Sequence, residues 1–446
     1  LGIGHLAIVT DGLNSSPMQD LFSVNYSTAF SLGFALVLCA SVALRFWLAS
    51  RQMRHVAAHR HAVPAAFAQH IGLAAHQRAA DYTVAQSRLS VLELAFGAAV
   101  VLGWSLLGGL HFLNQQLLQW MDPGLAQQVA LLVGFFVVGS VLDLPFTLYR
   151  TFVLEQRFGF NKTTPSLWVQ DFIKSAALGV VIGLPLVTLI VWMMGSLGAS
   201  WWLWTWCVWV VFNLLLLWVY PTWIAPWFNQ FKPLDNPSLQ HRVNTLMERC
   251  GFRSKGFYVM DGSKRSAHAN AYFTGFGTSK RVVFYDTLLA QLSEAEVDAV
   301  LAHELGHFKH RHVPKRMVSM FALSLAGFAL LGWLGQQVWF YTGLGVLPNM
   351  DGGNSALALA LFMLVLPLLG TFVTPLMAQV SRKHEFEADA YAAQQANGAD
   401  LASALLKLYQ DNASTLTPDP VYVRFYYSHP PASERLGRMR GFAQGA

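Results

Sequence analysis

Seven stretches of this chain are each long and apolar enough to cross a hydrocarbon core, and nothing else in the sequence constrains its fold as strongly. They fall at residues 28–48, 89–112, 125–142, 176–195, 199–221, 316–341 and 353–378; a spanning helix takes about 20 residues. The third is the shortest, and the fourth and fifth lie so close together that the sequence does not fix their boundary. At 446 residues, length alone would suggest two or three soluble domains. Composition overrules that: 54% hydrophobic against 12% charged residues, with a mean hydropathy of +0.39, leaves too little polar surface to clothe a soluble particle.

The basic residues test the span count independently, because translocating Lys and Arg is unfavourable and they stay on the cytoplasmic side. With seven spans the connecting segments alternate sides. The first 27 residues and the segments near 113–124, 196–198 and 342–352 contain no Lys or Arg. Apart from Arg45, at the inner end of the first span, all the basic residues, 29 of 30, lie in the other set. The N-terminus is therefore expected outside and the long basic segments in the cytosol.

The net charge of +6 is what such loops confer, and no basic-aromatic module for nucleic acid is present. Cys39, Cys207 and Cys250 make no disulfide framework: two lie in spans and the third faces the reducing side. "LVLC" at 36–39 resembles a lipoprotein box only faintly, since Leu38 is not small. The stretch ahead of Met18 lacks a basic region and is not read as a secretory signal.

The chain divides into a membrane region at 1–231 with five spans, a cytosolic insertion at 232–315, two further spans within 316–380, and a cytosolic tail at 381–446. Residues 49–88, His- and Ala-rich, read as helical, as does the tail. Within the insertion "HRVNTLMERCGF" has helical periodicity, and "GFYVMD", "NAYFTG" and "RVVFYD" read as three short strands. No internal repeat or low-complexity tract is present.

Chemistry concentrates in "LSEAEVDAVLAHELGHFKH". Ser293 and Glu296 fit a capping box that starts a helix. On that helix His303 and His307 lie one turn apart on one face, so both imidazoles can reach one cation, and Glu304 falls beside it, placed to take a proton from water. His310 and His312 read as surface residues. A catalytic zinc takes three protein ligands, so a third must come from elsewhere on the same side of the membrane. "SRKHEFEADAYA" (381–392) follows the seventh span and sets Glu385 and Asp389 one turn apart. One can bind metal while the other orients a ligand histidine through its free ring nitrogen. Glu387 points elsewhere and reads as solvated. His384 is a rival ligand, but an acid completes the two-histidine, one-glutamate pattern better.

These residues resemble the M48 family of zinc peptidases, and in particular its integral-membrane CAAX prenyl protease branch, the Ste24 type. "LPFTLYRTFVLEQRFGFNKTT" (144–164), "YPTWIAPWFNQFKPL" (220–234), "RSAHANAYFTGFGTSKRVVFYDTLL" (265–289) and "SHPPASERL" (428–436) match the same branch; "AADYTVAQSR" (79–88) also fits, though the first 140 residues match less distinctively. The resemblance implies a mainly α, polytopic membrane protein: seven transmembrane helices enclosing an intramembrane chamber, with a cytosolic zincin-like metalloprotease domain containing a small β-sheet. It implies one Zn2+ on His303, His307 and Glu385, with Glu304 as general base and Asp389 behind a ligand. It implies Asn270 and Ala271 on an edge strand that pairs with the substrate backbone, and His429 and Arg435 as oxyanion stabilisers. The implied activity is removal of the last three residues of prenylated CAAX substrates, or cleavage of related peptides. The expected partners are a peptide or protein substrate and the lipid bilayer; no oligomer is indicated.

Three other readings compete. A quality-control protease like the related HtpX branch shares the zinc chemistry, but the longer chain, the seven spans and "RFGFNKTT" favour the prenyl protease branch. A site-2-type intramembrane protease would bury its glutamate-histidine motif inside a span, whereas here it precedes one. A transporter or scaffold could use Glu93 and Asp143 as a polar pathway, but would not need both halves of a metal site. The Ala- and Trp-rich, Lys-poor composition points to a bacterial inner membrane.

Overall fold

The computed structural model describes residues 17–274, 279–349 and 352–444. Most of the stretch ahead of Met18, and Gly275 of the second expected strand, lie outside them. Among the described residues seven helices are long and apolar enough to span a membrane: Tyr26–Ala58, Leu73–Trp104, Leu125–Glu155, Pro165–Ser196, Gly198–Phe228, His312–Leu334 and Ser355–Gln395. Only 6–39% of their most apolar windows is buried inside the protein, which leaves broad apolar faces for lipid or an internal space. The third helix runs well past the expected residue 142. Its apolar run ends at Asp143, but the helix continues through Pro145 and a π-helical turn at Arg150–Glu155, where Arg150 Nη2 lies 2.6 Å from Glu93 Oε1. Glu93 is thus neutralised by a neighbouring helix. The expected helix over 49–88 is broken between Ala58 and Leu73, a stretch that contains Pro64 and ends at Gly72; there Phe67 and Ile71 pack against Leu416, Ala432 and Leu436 of the tail.

The two ends of the bundle differ as the charge pattern requires. At the end poor in basic residues, short polar links close the structure: Ser27 to Thr342, Ser31 to the Gly343 carbonyl, Asn114 to both Asn349 and Gln127, and Gln128 to the Ala356 amide. At the other end Arg51 pairs with Asp419, and Arg265 with Asp171 and Asn229, fastening spans to the insertion and the tail.

The insertion carries a four-stranded sheet: β1 (Phe231–Pro233), β2 (Arg253–Met260), β3 (Ala271–Thr274) and β4 (Ser279–Tyr285), in the order β1-β2-β4-β3. β2 and β4 are parallel; the outer pairings are antiparallel. β1 was not expected, since three residues ending in Pro carry no alternating pattern. One core joins sheet to site: Leu239, Val243 and Leu246 of helix Pro237–Arg249, Val282 and Phe284 of β4, and Val297, Leu301 and Leu305 of the site helix Glu294–Lys309. Each such side chain contributes about 1.5–3 kcal/mol when fully buried.

Candidate metal centre

The site helix starts as its sequence requires. Ser293 caps the Glu296 amide, and a Glu296 carboxylate oxygen accepts from the Ser293 amide at 2.7 Å. Glu296 also accepts from Ser403 Oγ and Lys407 Nζ of helix Gly398–Asp411 at 2.6 and 2.7 Å. Burial alone would raise its carboxyl, but Lys407, Ser403 and the Ser293 amide outweigh that and hold it down at about 2.

Two turns on, the helix meets the C-terminal part of the seventh membrane helix, beyond its apolar run. The approach is close because residue 306 is glycine: a Cβ there would lie 3.0 Å from Ala388 Cα and 3.2 Å from both its carbonyl oxygen and Tyr391 Cβ. Across this contact His303 Nε2 lies 3.4 Å from Glu385 Oε2, His307 Nε2 lies 3.4 Å from Glu385 Oε1, and the two Nε2 atoms are 3.3 Å apart. Those separations are long for hydrogen bonds. They suit donors around one tetrahedral ion, since bonds of about 2.0–2.1 Å set neighbouring ligand atoms about 3.3–3.4 Å apart. Glu385 Oε2 is buried with no hydrogen-bond donor among the described residues. The donor set, two imidazoles and a carboxylate, is one that zinc takes, so these residues fit the ion.

The surrounding groups hold this arrangement in place. Asp389 Oδ1 lies 2.9 Å from His303 Nδ1, and Arg435 donates to both Asp389 oxygens at 2.8 and 2.5 Å. Burial would lower the His303 imidazole, but Asp389 and Glu385 outweigh it and raise it to about 9. Arg435 is buried and bidentate to Asp389, with Nη1 3.9 Å from Glu385 Oε2. His429, more exposed, sets Nε2 3.4 Å from Glu385 Oε1.

Glu304, Asn270, Ala271, His303, Glu385, His429 and Arg435 all line one cavity of about 140 Å³. Glu304 has no hydrogen-bond partner among the described residues, so its carboxylate is not committed to the fold. β3 is the edge strand of the sheet, and the Ala271 amide is met by Asn270 Oδ1 at 2.8 Å. A donor at the cavity wall is thus met by its neighbour's side chain, which an extended peptide could replace.

Two sequence expectations require correction. His312 is not a surface residue: it is 4% exposed, with Nδ1 3.0 Å from His307 Nδ1 and Nε2 2.8 Å from Glu387 Oε2. Glu387, expected to be solvated, is half-buried and engaged by His312. The chain turns at Arg311 in a left-handed conformation (φ 56°), which carries His312 back toward the site, and helical periodicity could not forecast a turn beyond the helix end. His310 is exposed, as expected. His384, the rival ligand, stacks on His312 with centroids 3.9 Å apart, outside the triangle formed by His303, His307 and Glu385. Nor did sequence reasoning single out Gly306; its position inside the helix, where glycine is unfavourable, was the available signal.

Comparison with known proteins follows the same two parts. Residues 52–230 match the family described as CAAX prenyl protease N-terminal, five membrane helices, and residues 233–443 match peptidase family M48. A CAAX prenyl protease 1 homolog of Arabidopsis thaliana is 36% identical over 324 residues, covering 72% of this chain and 76% of the relative. A Caenorhabditis elegans homolog is 31% identical over 441 residues, covering 92% and 98%. Among solved structures, that of S. mikatae Ste24p superposes with a TM-score of 0.86 at 29% identity, covering 92% of this chain and 99% of that one.

Proposed function

The chain belongs to peptidase family M48, in its integral-membrane CAAX prenyl protease branch, and on that premise we propose how its residues divide the work of a membrane zinc metalloendopeptidase. Residues 1–231 and 316–380 hold it in the bilayer, and 232–315 with 381–446 carry the chemistry. His303, His307 and Glu385 hold the zinc. The observation that carries this reading is the clustering of their donor atoms, the two Nε2 atoms 3.3 Å apart and each 3.4 Å from one Glu385 oxygen, with His303 and Glu385 in the wall of the cavity that Glu304 also lines.

Zinc, when bound, supplies a Lewis acid that makes water nucleophilic near neutral pH and polarises the scissile carbonyl. Glu304, uncommitted at the cavity wall, takes a proton from the attacking water and returns it to the leaving nitrogen. The Ala271 amide and Asn270 hold the substrate backbone in extended form along β3. His429 presents Nε2 to the developing oxyanion, with Arg435 Nη1 behind it. Asp389, held by Arg435, fixes the His303 ring.

The substrate we propose is a C-terminal CAAX segment, prenylated or not, cut so that the last three residues leave. The basic loops argue for a cytosolic active site and an external N-terminus. The relatives named above are eukaryotic, and placement in a bacterial inner membrane rests on composition alone. The quality-control reading gains no support from those relatives. The testing experiment is mass-spectrometric cleavage of matched farnesylated and unfarnesylated CAAX peptides by the purified protein, with Glu304→Gln alongside. The wild type should release a tripeptide, and Glu304→Gln should keep its zinc and lose about 10²–10⁴ in rate. A preference for the farnesylated peptide supports prenyl-dependent selectivity. Cleavage that survives Glu304→Gln undiminished would remove the assigned base.

A further inference from the structure

His307 has two ring nitrogens with different surroundings. Nε2 faces His303 Nε2 and Glu385, so it is the nitrogen offered to metal. A histidine that binds metal through one nitrogen carries its proton on the other, and the partner of that N–H fixes tautomer and ring plane. For His303 the partner is Asp389. For His307 it is another imidazole: Nδ1 lies 3.0 Å from His312 Nδ1. Two facing nitrogens cannot both donate or both accept. With Nε2 given to metal, His307 Nδ1–H donates, His312 Nδ1 accepts, and the proton of His312 sits on Nε2. That atom lies 2.8 Å from Glu387 Oε2, which accepts it. The chain of bonds runs one way without conflict.

The fold holds His312 firmly in this place. Arg311 is held left-handed just ahead of it (φ 56°), a conformation uncommon for a non-glycine residue. His312 opens the sixth membrane helix, while Glu387 lies on the C-terminal part of the seventh, two residues after Glu385. The His384 ring stacks on His312 within 12° of parallel and fixes its plane.

We propose that His312 and Glu387 are positioning residues for His307, setting its tautomer and aim and tying the metal centre to the start of the sixth membrane helix. This rests on reading His303, His307 and Glu385 as the zinc ligands. The three residues His312, His384 and Glu387 also have donor atoms within 4.8 Å of one another, the spacing of a second metal site. Two features count against that use. Nearly parallel stacked rings direct their in-plane lone pairs along parallel planes rather than at one ion, and the 2.8 Å contact to Glu387 is a hydrogen-bond distance.

The test uses the full chain in detergent. Zinc dissociation constants are measured by chelator competition, zinc-to-protein ratio by elemental analysis, and thermal unfolding on the metal-free forms. His312→Phe keeps the ring volume but offers no acceptor, and should weaken zinc about 10–100-fold with little change in metal-free unfolding. His312→Asn, whose Oδ1 falls near the place of Nδ1, should recover most of that loss. Glu387→Ala should weaken zinc several-fold and serves alone if His312→Phe fails to fold. His384→Phe, which keeps the stacking, should bind like the wild type. Zinc affinity within twofold of wild type in both His312→Phe and Glu387→Ala would overturn the proposal, as would a ratio that falls from two to one in His312→Phe. A wild type that binds no zinc would instead sink the ligand assignment, and this proposal with it.

Discussion

Gly306→Ala adds one methyl group at the contact that builds the metal centre, and the structure sets the scale of its effect. The new Cβ would meet Ala388 Cα at 3.0 Å and the Ala388 oxygen at 3.2 Å. These are backbone atoms and cannot rotate away. Ordinary carbon contacts begin at about 3.5–4.0 Å, so the two helices must separate locally by about 0.5–1 Å. Two of the three donor separations cross that interface, His303–Glu385 and His307–Glu385, each 3.4 Å. They would open toward about 4 Å, too wide for bonds of about 2 Å to one tetrahedral ion. The third, His303–His307, lies within one helix and would not change. Overpacking costs about 1–3 kcal/mol, but alanine regains about 1 kcal/mol of helix propensity over glycine. The variant should therefore fold, with a thermal midpoint only slightly lowered. Zinc affinity should nonetheless fall at least tenfold, and kcat/KM on a fluorogenic CAAX peptide by about 10²-fold, the usual consequence of misplacing a reacting group by about 1 Å. Wild-type zinc affinity and wild-type kcat/KM in a folded Gly306→Ala protein would refute the reasoning, because the spacing between these helices would then not be what sets Glu385 against the histidines.

Removing the Arg435 guanidinium with Arg435→Met should leave Asp389 buried without its counterion, at a cost of about 3–5 kcal/mol. The double variant with Asp389→Asn should recover most of that stability in thermal unfolding, and equal losses in single and double variants would show that the pair is not the source. Glu296, held at about 2 in the fold against an ordinary value of about 4.3, contributes stability that is fully present above the unfolded value and is lost as pH falls through the folded one. The stability gap between wild type and Glu296→Gln, followed by thermal unfolding, should thus shrink from pH 5 toward pH 2 and stay flat between pH 5 and 7. A gap that instead widened on acidification would contradict the assigned ion pair with Lys407.

What the sequence revealed and what it hid divide along a physical line. The spans were legible because an apolar run in lipid has little choice but to be a helix, and the alternation of Lys and Arg tested their number. His303, Glu304 and His307 were legible because 3.6-residue periodicity fixes their relation within one helix. Glu385 lies 78 residues beyond His307, on an element whose distance from the site helix no local pattern encodes. Its candidacy came from needing a third ligand on the same side of the membrane, its preference over His384 from the two-histidine, one-acid pattern, and its choice over Asp389 from resemblance. What brings it within reach is a missing side chain at Gly306, one position before a histidine that sequence reading had already singled out. His312 was misjudged for a related reason. A residue just past a helix end is aimed by the turn that follows, here the left-handed Arg311, and Arg is not a residue from which such a turn is expected. Both features act on the space between helices, Gly306 by leaving a gap and Arg311 by redirecting the chain. The histidines of the motif can therefore be present and correctly spaced in a chain that holds no metal, and whether they form a metal centre is decided by residues that are not ligands.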